Sequence, residues 1–504
     1  EGGGEGEGGC ASIDGDVVIA SAGDVDAVRG VCHVGGNVIV HHASIGSLAG
    51  LEALTEIDGA LIIEDNDALT SVDALAHVTH IGGALTIGGD ALLVDIHGLS
   101  SLASLGGAVT FANDPSLVDV TALAHVTALG ALRLAHLPSL TSLTGLDALT
   151  SIDGALDIDD TALFDIDALA HVERVAGPLT IRNNAALARI DALSAARIGP
   201  CDVLVTGNPA LTSLDGLDGL THAGALAVVS DGALADVSAL DALVDVDTLA
   251  IDDDPALTSA EAFAALTHAN TLSISDDTAL TDIDGFHALT IVDGDVHLDR
   301  NPALTSITGF DALATARDVT ADGDGALTAF AAFTSLAHAS SVSLQSAALT
   351  SLSLPALVDA DDVDVSHDAI IANPTFPSLR SVTHDVTLVD DAVLASAAFP
   401  ALDSIGHNLL ISNDPALTDV DGFSALTTVD GLLDVEQCPA LHSVAGFSAL
   451  THVGSDVNGG ARRIQLLQDG VLGCSAEALA ARLGAQCNCD DVSIAIHAAA
   501  DFAS

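Results

Sequence analysis

The stretch Gly130–Asp153, GALRLAHLPSLTSLTGLDALTSID, decides the fold, because similar units precede and follow it along nearly the whole chain. Leu132 and Leu134 alternate as in a strand, and the later apolar residues recur at every third position. That spacing is too tight for one face of an α-helix and too loose for a plain strand. It indicates short extended pieces separated by corners, and a repeat of about 23 residues predicts a solenoid.

The first inward residue of each alternating strand marks about 20 repeats, here called rungs, most of them separated by 23 or 24 residues. These anchor residues are Val17, Val38, Leu61, Leu85, Val109, Leu132, Leu156, Leu179, Val203, Leu226, Leu249, Leu272, Val296, Val319, Val342, Val363, Val386, Leu409, Leu433 and Val457. Since so few residues are inserted or deleted, we expect each rung to stack directly on its neighbours. The predicted fold is mainly β, a right-handed parallel β-helix with small capped ends and a short C-terminal cap helix at Ser475–Leu483.

The chain is predicted to have four parts. Residues 1–9, EGGGEGEGG, form an acidic glycine-rich tether, and residues 10–33 form the N-terminal cap with the first rung. Residues 34–457 hold the solenoid repeats, and residues 458–504 form the C-terminal cap and tail. The alternating run Val492–Ile496 is expected either to complete the chain's own cap or to add a strand to a neighbouring molecule.

One core column changes from leucine to phenylalanine halfway along the chain. Its aromatic members are Phe263, Phe286, Phe310, Phe333, Phe399, Phe423 and Phe447. We interpret them as a stacked Phe ladder in the core, since offset ring pairs add to burial. An exposed aromatic stripe for ligands is the alternative.

The core pattern LTSLxGLxALTxIxGxLxI, present at Leu140–Ile158 and closely matched at Leu211–Val228, resembles the receptor L domain group, a leucine-rich-repeat-like right-handed β-helix. The resemblance spans residues 15–457. Related patterns occur in growth-factor receptor ectodomains, fungal wall proteins and secreted bacterial surface proteins. The resemblance implies an architecture and an extracellular or cell-surface location, but no single function, because members of such a group bind different partners.

The formal net charge of the chain is −59, with 12 Lys and Arg residues against 71 Asp and Glu residues. This balance excludes nucleic acid as a partner, because nothing would neutralise its phosphates. It favours cations and basic partners. Aspartates interrupt the apolar runs, so no transmembrane segment is expected.

Enzyme chemistry is not expected. Without lysine the chain has no P-loop or Schiff-base lysine, and it contains no HExxH or GxSxG motif. Sugar processing is disfavoured by the absence of Trp and Tyr. No cofactor is predicted apart from a weak calcium candidate. We therefore expect a non-enzymatic adhesion or recognition scaffold, with a self-assembling subunit of an extracellular filament, sheath or surface layer as the alternative.

Seven cysteines are consistent with export. Cys10 and Cys32 flank the first strand, where the open end of a solenoid needs cover, and they are predicted to form a disulfide. Cys438, Cys474, Cys487 and Cys489 form a second group whose pairing the sequence leaves open, with a zinc site as the alternative. Cys201 is predicted to be a buried free thiol. The segment GCSAEALAARLGAQCNC resembles the closing segment of secreted bacterial proteins with this repeat.

Corner carboxylates are the metal candidates. Stacking would bring together oxygens of the kind that calcium binds, and the best single group contains five aspartates. They are Asp252, Asp253, Asp254, Asp276 and Asp277. Turn aspartates that bond only their own backbone are the competing interpretation. A threonine column that includes Thr281 and Thr305 is interpreted as a corner hydroxyl ladder, with ice binding as the alternative. The histidines are interpreted as solvated corner residues.

Overall fold

The structure is a computed structural model that describes residues 10–330, 332–344, 349–366, 371–454, 464–467, 479, 485–486, 493–495 and 497–498. The chain divides into two compact units, Glu1–Leu243 and Val244–Ser504. Short parallel strands in about 19 turns build a β-solenoid of the leucine-rich-repeat-like kind, as predicted. The predicted tether at residues 1–9 lies outside the described residues.

The first unit contains a main parallel sheet and a second parallel strand column. The strands of its main sheet are Val17–Ile19, Val38–His41, Leu61–Glu64, Leu85–Gly88, Val109–Ala112, Leu132–Leu137, Leu156–Thr161, Leu179–Arg182, Val203–Thr206 and His222–Val229. The strands of the second column are Ala11–Ile13, Val31–Val34, Glu56–Ile57, His80–Ile81, Ser104–Leu105, Ala128–Leu129, Ser151–Ile152, Arg174–Val175 and Arg197–Ile198. Its helices are the α-helix Ala22–Ala27 and the 3-10 turns Asp73–Leu75, His97–Leu99, Thr121–Leu123, Asp167–Leu169, Asp191–Ala195 and Ser238–Leu240.

The second unit repeats this plan. The strands of its main sheet are Asp245–Asp252, His268–Ser275, Val296–His297, Asp318–Thr320, His338–Ser343, Asp359–Ser366, Val386–Val389, Leu409–Ser412, Leu433–Glu436 and Ile464–Leu467. Its other strands are Asp282–Ile283, Ile291–Val292, Ser306–Ile307, Ala329–Phe330, Ser381–Val382, Ser404–Ile405, Thr428–Val429, His452–Val453, Ala485–Gln486, Ser493–Ala495 and His497–Ala498. The 3-10 turns are Asp421–Phe423 and Ala445–Ala449.

The strand register confirms the anchors within each unit, with one exception. Leu132 pairs with Leu156, and Leu156 pairs with Leu179, always in parallel. The last anchor is wrong, because Leu433 pairs with Ile464 and not with Val457. Val457 follows Leu433 by the usual spacing of 24 residues, but the alternating apolar pattern of a strand recurs only at Ile464–Leu467. The main sheet therefore continues into the segment predicted to be the C-terminal cap.

The apolar residues at every third position have a physical explanation in the 3-10 turns. Ile166, Leu169 and Val172 are buried. The N–H of Leu169 donates to the carbonyl of Ile166 at 2.8 Å, and the N–H of Val172 donates to the carbonyl of Leu169 at 2.9 Å. A 3-10 helix has three residues per turn, so side chains at this spacing lie on one face. The corners inferred from the sequence are thus hydrogen-bonded turns at these rungs.

Phenylalanine rings stack inside the second unit. Phe286 is buried between Phe263 and Phe310, with ring centroids 4.9 Å away on both sides and nearly parallel planes. Phe333 continues this run. The remaining predicted members form a second run, which begins with Phe376, a residue that the sequence analysis did not include. The members of the second run are Phe376, Phe399, Phe423 and Phe447.

Both ends of the solenoid have closing elements. At the N-terminal end, Cys10 and Cys32 form a disulfide across the first two strands of the second column. The helix Ala22–Ala27, which was not predicted, lies in the same segment. At the C-terminal end, Ser493–Ala495 pairs in antiparallel fashion with Ile464–Leu467. Part of the tail therefore completes the chain's own sheet, which is the first of the two alternatives predicted for it.

Several predictions for the C-terminal region concern residues outside the described set. These are the cap helix at Ser475–Leu483, apart from the buried Leu479, and the cysteines Cys474, Cys487 and Cys489. Cys438 is buried, and its thiol lies 3.3 Å from the carbonyl oxygen of Glu436. Disulfide pairing in this cap stays a prediction.

Most of the described main-sheet strands end in a two-residue corner. The first corner residue has a positive φ, for example 61° at Asn113 and 60° at Asp253. Asn, Asp and Gly adopt this conformation at least cost, which explains their abundance there. The second corner residue points inward, and we call this buried column the corner ladder. Its members are Asn66, Asp90, Asp114, Asn184, Asn208 and Asp231 in the first unit and Asp254, Asp277, Asn301, Asp324, Asp391 and Asp414 in the second.

Candidate binding surface

The outward side of the main sheet in the second unit is lined with aspartates. Alternate residues of each strand point outward, so strand positions flanking the buried anchors share this side. We call the set the acidic strand face. Its members are half-buried aspartates that lie in these strands or within two residues of them: Asp252, Asp295, Asp299, Asp318, Asp322, Asp362, Asp364 and Asp385. Carboxylates held on paired strands form a regular negative surface, because the backbone fixes their spacing.

The equivalent side of the first unit is much less acidic. Alanine occupies the position before the anchor at Ala60, Ala84 and Ala108, where the second unit has aspartates such as Asp295. Two carboxylates on this side of the first unit are paired with arginine. Arg133 lies 2.7 Å from Asp157, and Arg182 lies 2.8 Å from Asp159. The acidic strand face is therefore a property of one unit and not simply a result of the overall charge.

A short network lies at the centre of the acidic strand face. The His297 imidazole lies between two carboxylates of its own strand segment, 3.8 Å from Asp295 and 3.8 Å from Asp299. Asp299 also accepts a hydrogen bond from the Thr320 hydroxyl at 2.8 Å. Arg317 donates to both oxygens of Asp295. These contacts fix the orientation of both carboxylates.

The electrostatic state of this face varies between neighbouring carboxylates. The hydrogen bond from Arg317 holds the pKa of Asp295 below its usual value. Burial, followed by the charge of Asp295, raises the pKa of Asp318. Burial also raises the pKa of Asp252. Asp252 and Asp318 are thus harder to ionise than an exposed aspartate.

The five calcium candidates do not converge on one site. Asp252 accepts a hydrogen bond from Ser273, Asp253 is exposed, and Asp276 is paired with Arg300 at 2.7 and 2.8 Å. The remaining two, Asp254 and Asp277, point inward as members of the corner ladder. Within the described part of the chain, no group of three or more His, Cys, Asp or Glu side chains could hold a metal ion. The calcium prediction therefore finds no support in this geometry.

The threonine column bonds the backbone of the preceding rung. The Thr281 hydroxyl donates to the carbonyl of Thr258 at 2.9 Å, and the Thr305 hydroxyl donates to Thr281 at 3.0 Å. Thr328 and Thr350 continue the series. These threonine hydroxyls bond the backbone of the preceding rung, which supports the structural interpretation of this column over ice binding.

Several histidines pair with aspartates of adjacent rungs, a role that the sequence analysis missed. His268 lies between Asp245, at 2.9 Å, and Asp293, at 3.1 Å. Hydrogen bonds to Asp293 and Asp245 raise the pKa of His268. The protonated His268 therefore stabilises the fold through these two pairs. The stabilisation is complete below the unfolded pKa of histidine, about 6.5, and is lost as pH rises through the folded pKa. The signal was present in the sequence, because Asp245 and His268 occupy the same column.

Cys201 is half-buried rather than fully buried, in contrast to its prediction. Its thiol lies 3.7 Å from the carbonyl oxygen of Ala176, and it forms no disulfide with any described residue.

Comparison with known proteins finds similarity to solved structures alone. No protein-family model and no curated protein matches this chain. An internalin (inlF) from Listeria monocytogenes shares 17% identity, over 67% of this chain and 88% of the internalin, with a TM-score of 0.34. A chain of the TLR13–ssRNA13 complex shares 12% identity, over 92% of this chain and 81% of that one, with a TM-score of 0.24. The fold assignment rests on the strand register described above. Among the described residues, no helix is long and apolar enough to span a membrane.

Proposed function

We propose that this chain is a non-enzymatic recognition scaffold of the cell surface or extracellular space, whose acidic strand face binds a basic protein partner. The observation that carries the proposal is the contrast between the two units. Eight half-buried aspartates line the outward side of one sheet, where Arg317 pairs with Asp295 and Asp318. The equivalent sheet bears alanines at most of the positions before its anchors and two carboxylates that are each paired with an arginine. A cationic partner fits this face because opposite charges steer and orient association.

The location is supported by the disulfide between Cys10 and Cys32, since such bonds persist mainly in oxidising compartments. The self-assembly alternative is less well supported. It needs an open sheet end, and the backbone pairing of Ser493–Ala495 with Ile464–Leu467 occupies that edge within one chain. Filament formation stays a prediction that sizing of the purified chain would address.

The test neutralises part of the acidic strand face without disturbing the strands. The variant carries Asp318→Asn, Asp362→Asn and Asp385→Asn. Asparagine keeps the oxygen through which Asp362 and Asp385 accept backbone N–H groups at 3.0 and 2.8 Å. The chain already uses asparagine in this column, where Asn408 accepts the N–H of Leu432 at 2.8 Å.

Deca-lysine serves as the probe, and calorimetric titration at low salt measures its affinity. We expect the triple variant to bind about 5- to 10-fold more weakly, as about 1.0–1.4 kcal/mol shared by three ion pairs would give. The control variant carries Asp67→Asn, Asp73→Asn and Asp241→Asn, which remove the same charge from exposed positions of the first unit. It should lose less than about 2-fold. Equal losses in both variants would show that binding follows net charge alone and would refute the proposed surface.

A further inference from the structure

The corner ladder links many neighbouring rungs through a side-chain oxygen. The N–H of Asn66 donates to Oδ1 of Asp90 at 2.8 Å, and the N–H of Asp90 donates to Oδ1 of Asp114 at 2.7 Å. In the second unit, the N–H of Asp391 donates to Oδ1 of Asp414 at 3.0 Å. Asparagine and aspartate are interchangeable in this respect, since both present a carbonyl-type oxygen to the preceding rung.

The second polar atom of the side chain distinguishes the two residue types. Nδ2 of Asn66 donates to the carbonyl of Val40 at 3.2 Å, and Nδ2 of Asn184 donates to that of Ile158 at 3.0 Å. Nδ2 of Asn301 does the same to Ile274 at 2.9 Å. In each case the acceptor lies two residues after the anchor of the preceding rung, so the ladder position faces an acceptor and calls for a donor.

Aspartate offers an oxygen where asparagine offers that donor. By the same register, the carbonyls concerned are those of Ile63 for Asp90, Ile87 for Asp114 and Leu388 for Asp414. The side chains of these three aspartates are fully buried, and their Oδ2 atoms have no hydrogen-bond partner among the described residues. An ionised carboxylate here would set a buried negative charge against a carbonyl oxygen.

The surrounding charges make ionisation less favourable still. Asp65 and Glu64 act on Asp90, and Asp90 acts on Asp114 once Asp90 itself has lost its proton. Asp391 and Asp390 act on Asp414. All of these groups are acidic, and like charges favour the neutral form of a carboxyl group.

We propose that Asp90, Asp114 and Asp414 are neutral carboxylic acids in the folded chain, each donating its proton to a strand carbonyl of the preceding rung. The solenoid then takes up protons when it folds, and mild acid stabilises it. Burial points the same way: it raises the pKa of Asp90 to about 6, that of Asp114 to about 7 and that of Asp414 to about 8.

The sign of the pH dependence follows from these values. Each folded pKa lies above the unfolded value of about 3.9, so the folded state binds more protons between the two. The contribution to stability is complete below about pH 4 and is lost as pH rises through 6 to 8. This is opposite to the usual behaviour of ion-paired aspartates. Histidine pairs such as His268 act in the same direction, so the test must isolate the ladder.

The test compares the full chain with Asp114→Asn and with Asp414→Asn, in urea at pH 5 and pH 8. Asparagine supplies the donor at every pH. Between pH 5 and pH 8 we expect the parent's unfolding equilibrium constant to rise by an extra factor on the order of 100 through Asp114 and of several hundred through Asp414, an increase that the corresponding substitution removes. Asp241→Asn, at an exposed position, controls for the loss of one charge. An unchanged pH dependence in both ladder variants, or a salt-driven gain without pH dependence, would overturn the proposal.

A direct readout does not depend on how the variants fold. Infrared spectra of the parent chain at pH 7 in H2O and D2O should show the carbonyl band of protonated carboxylic acids, shifted by deuteration. The band should weaken above pH 8, as these groups lose their protons. Absence of this band at pH 7 contradicts the proposal whatever the urea series gives.

Discussion

Replacing Phe286 by alanine is expected to lower the free energy of unfolding of the second unit by about 3–5 kcal/mol, the range for deleting a buried aromatic side chain. Phe286 is fully buried, and its ring stacks on those of Phe263 and Phe310 with centroids 4.9 Å apart. The substitution would remove both stacking contacts. The rungs on either side are held by their own strands, so the cavity has little freedom to collapse. Urea unfolding followed by circular dichroism measures the loss.

Two matched variants make this result specific. Phe164→Ala removes the same side chain from a position that is 56% exposed, and its effect should stay within about 0.5 kcal/mol. Phe286→Leu should cost less than about 1.5 kcal/mol, because leucine fills the same column at Leu217 and Leu240 of the first unit. A loss for Phe286→Ala no larger than that for Phe164→Ala would show that the rings are not stacked in a dry core.

Replacing Asn184 by alanine is expected to destabilise the first unit by about 2–5 kcal/mol. Asn184 accepts the N–H of Thr161 at 3.0 Å and donates to the carbonyl of Ile158 at 3.0 Å, both in buried surroundings. Alanine leaves these two groups without partners, and each buried unsatisfied group costs about 1–3 kcal/mol. Thermal and urea unfolding of the variant measure the effect.

Asn270→Ala is the control for this substitution, because Asn270 is exposed. Its effect should remain within about 0.5 kcal/mol. If both asparagine variants unfold at the same urea concentration as the parent, the corner ladder does not hold adjacent rungs together in the way its hydrogen bonds indicate.

The fold was predictable because the repeat carries its own register. Leu132, Leu156 and Leu179 share one sequence pattern, and the structure pairs them directly. Where the pattern is interrupted by an insertion, as before Ile464, constant spacing misplaced the strand. Hydrophobic periodicity thus locates strands reliably, but it does not count inserted residues between them.

The corner aspartates were harder to interpret. Asp252, Asp253 and Asp254 are consecutive and chemically identical, yet one lies on the sheet, one is exposed and one is buried. The positive φ of Asp253 turns the chain between them, and no composition argument reveals which neighbour points inward. The sequence therefore suggested a shared metal site where the backbone separates the carboxylates.

The acidic strand face was predictable only in outline. Net charge indicated an acidic surface, but it did not show that Asp318 and Asp362 lie on one sheet while alanines such as Ala84 and Ala108 take their place in the first unit. That contrast depends on strand register, which assigns each side chain to one side of the sheet.

In-register stacking of the rungs supports every conclusion above, and disulfide trapping tests it directly. Thr86 and Thr110 are register partners on the outward side of adjacent strands, whereas Arg133 lies one strand further. Adjacent strands are about 4.8 Å apart, within reach of a disulfide, and alternate strands are about 9.6 Å apart, beyond its limit of about 7 Å. Oxidation and peptide mapping should show a bond in Thr86→Cys/Thr110→Cys and none in Thr86→Cys/Arg133→Cys. The reverse outcome, or equal bonding in both pairs, would contradict the stacking of these rungs.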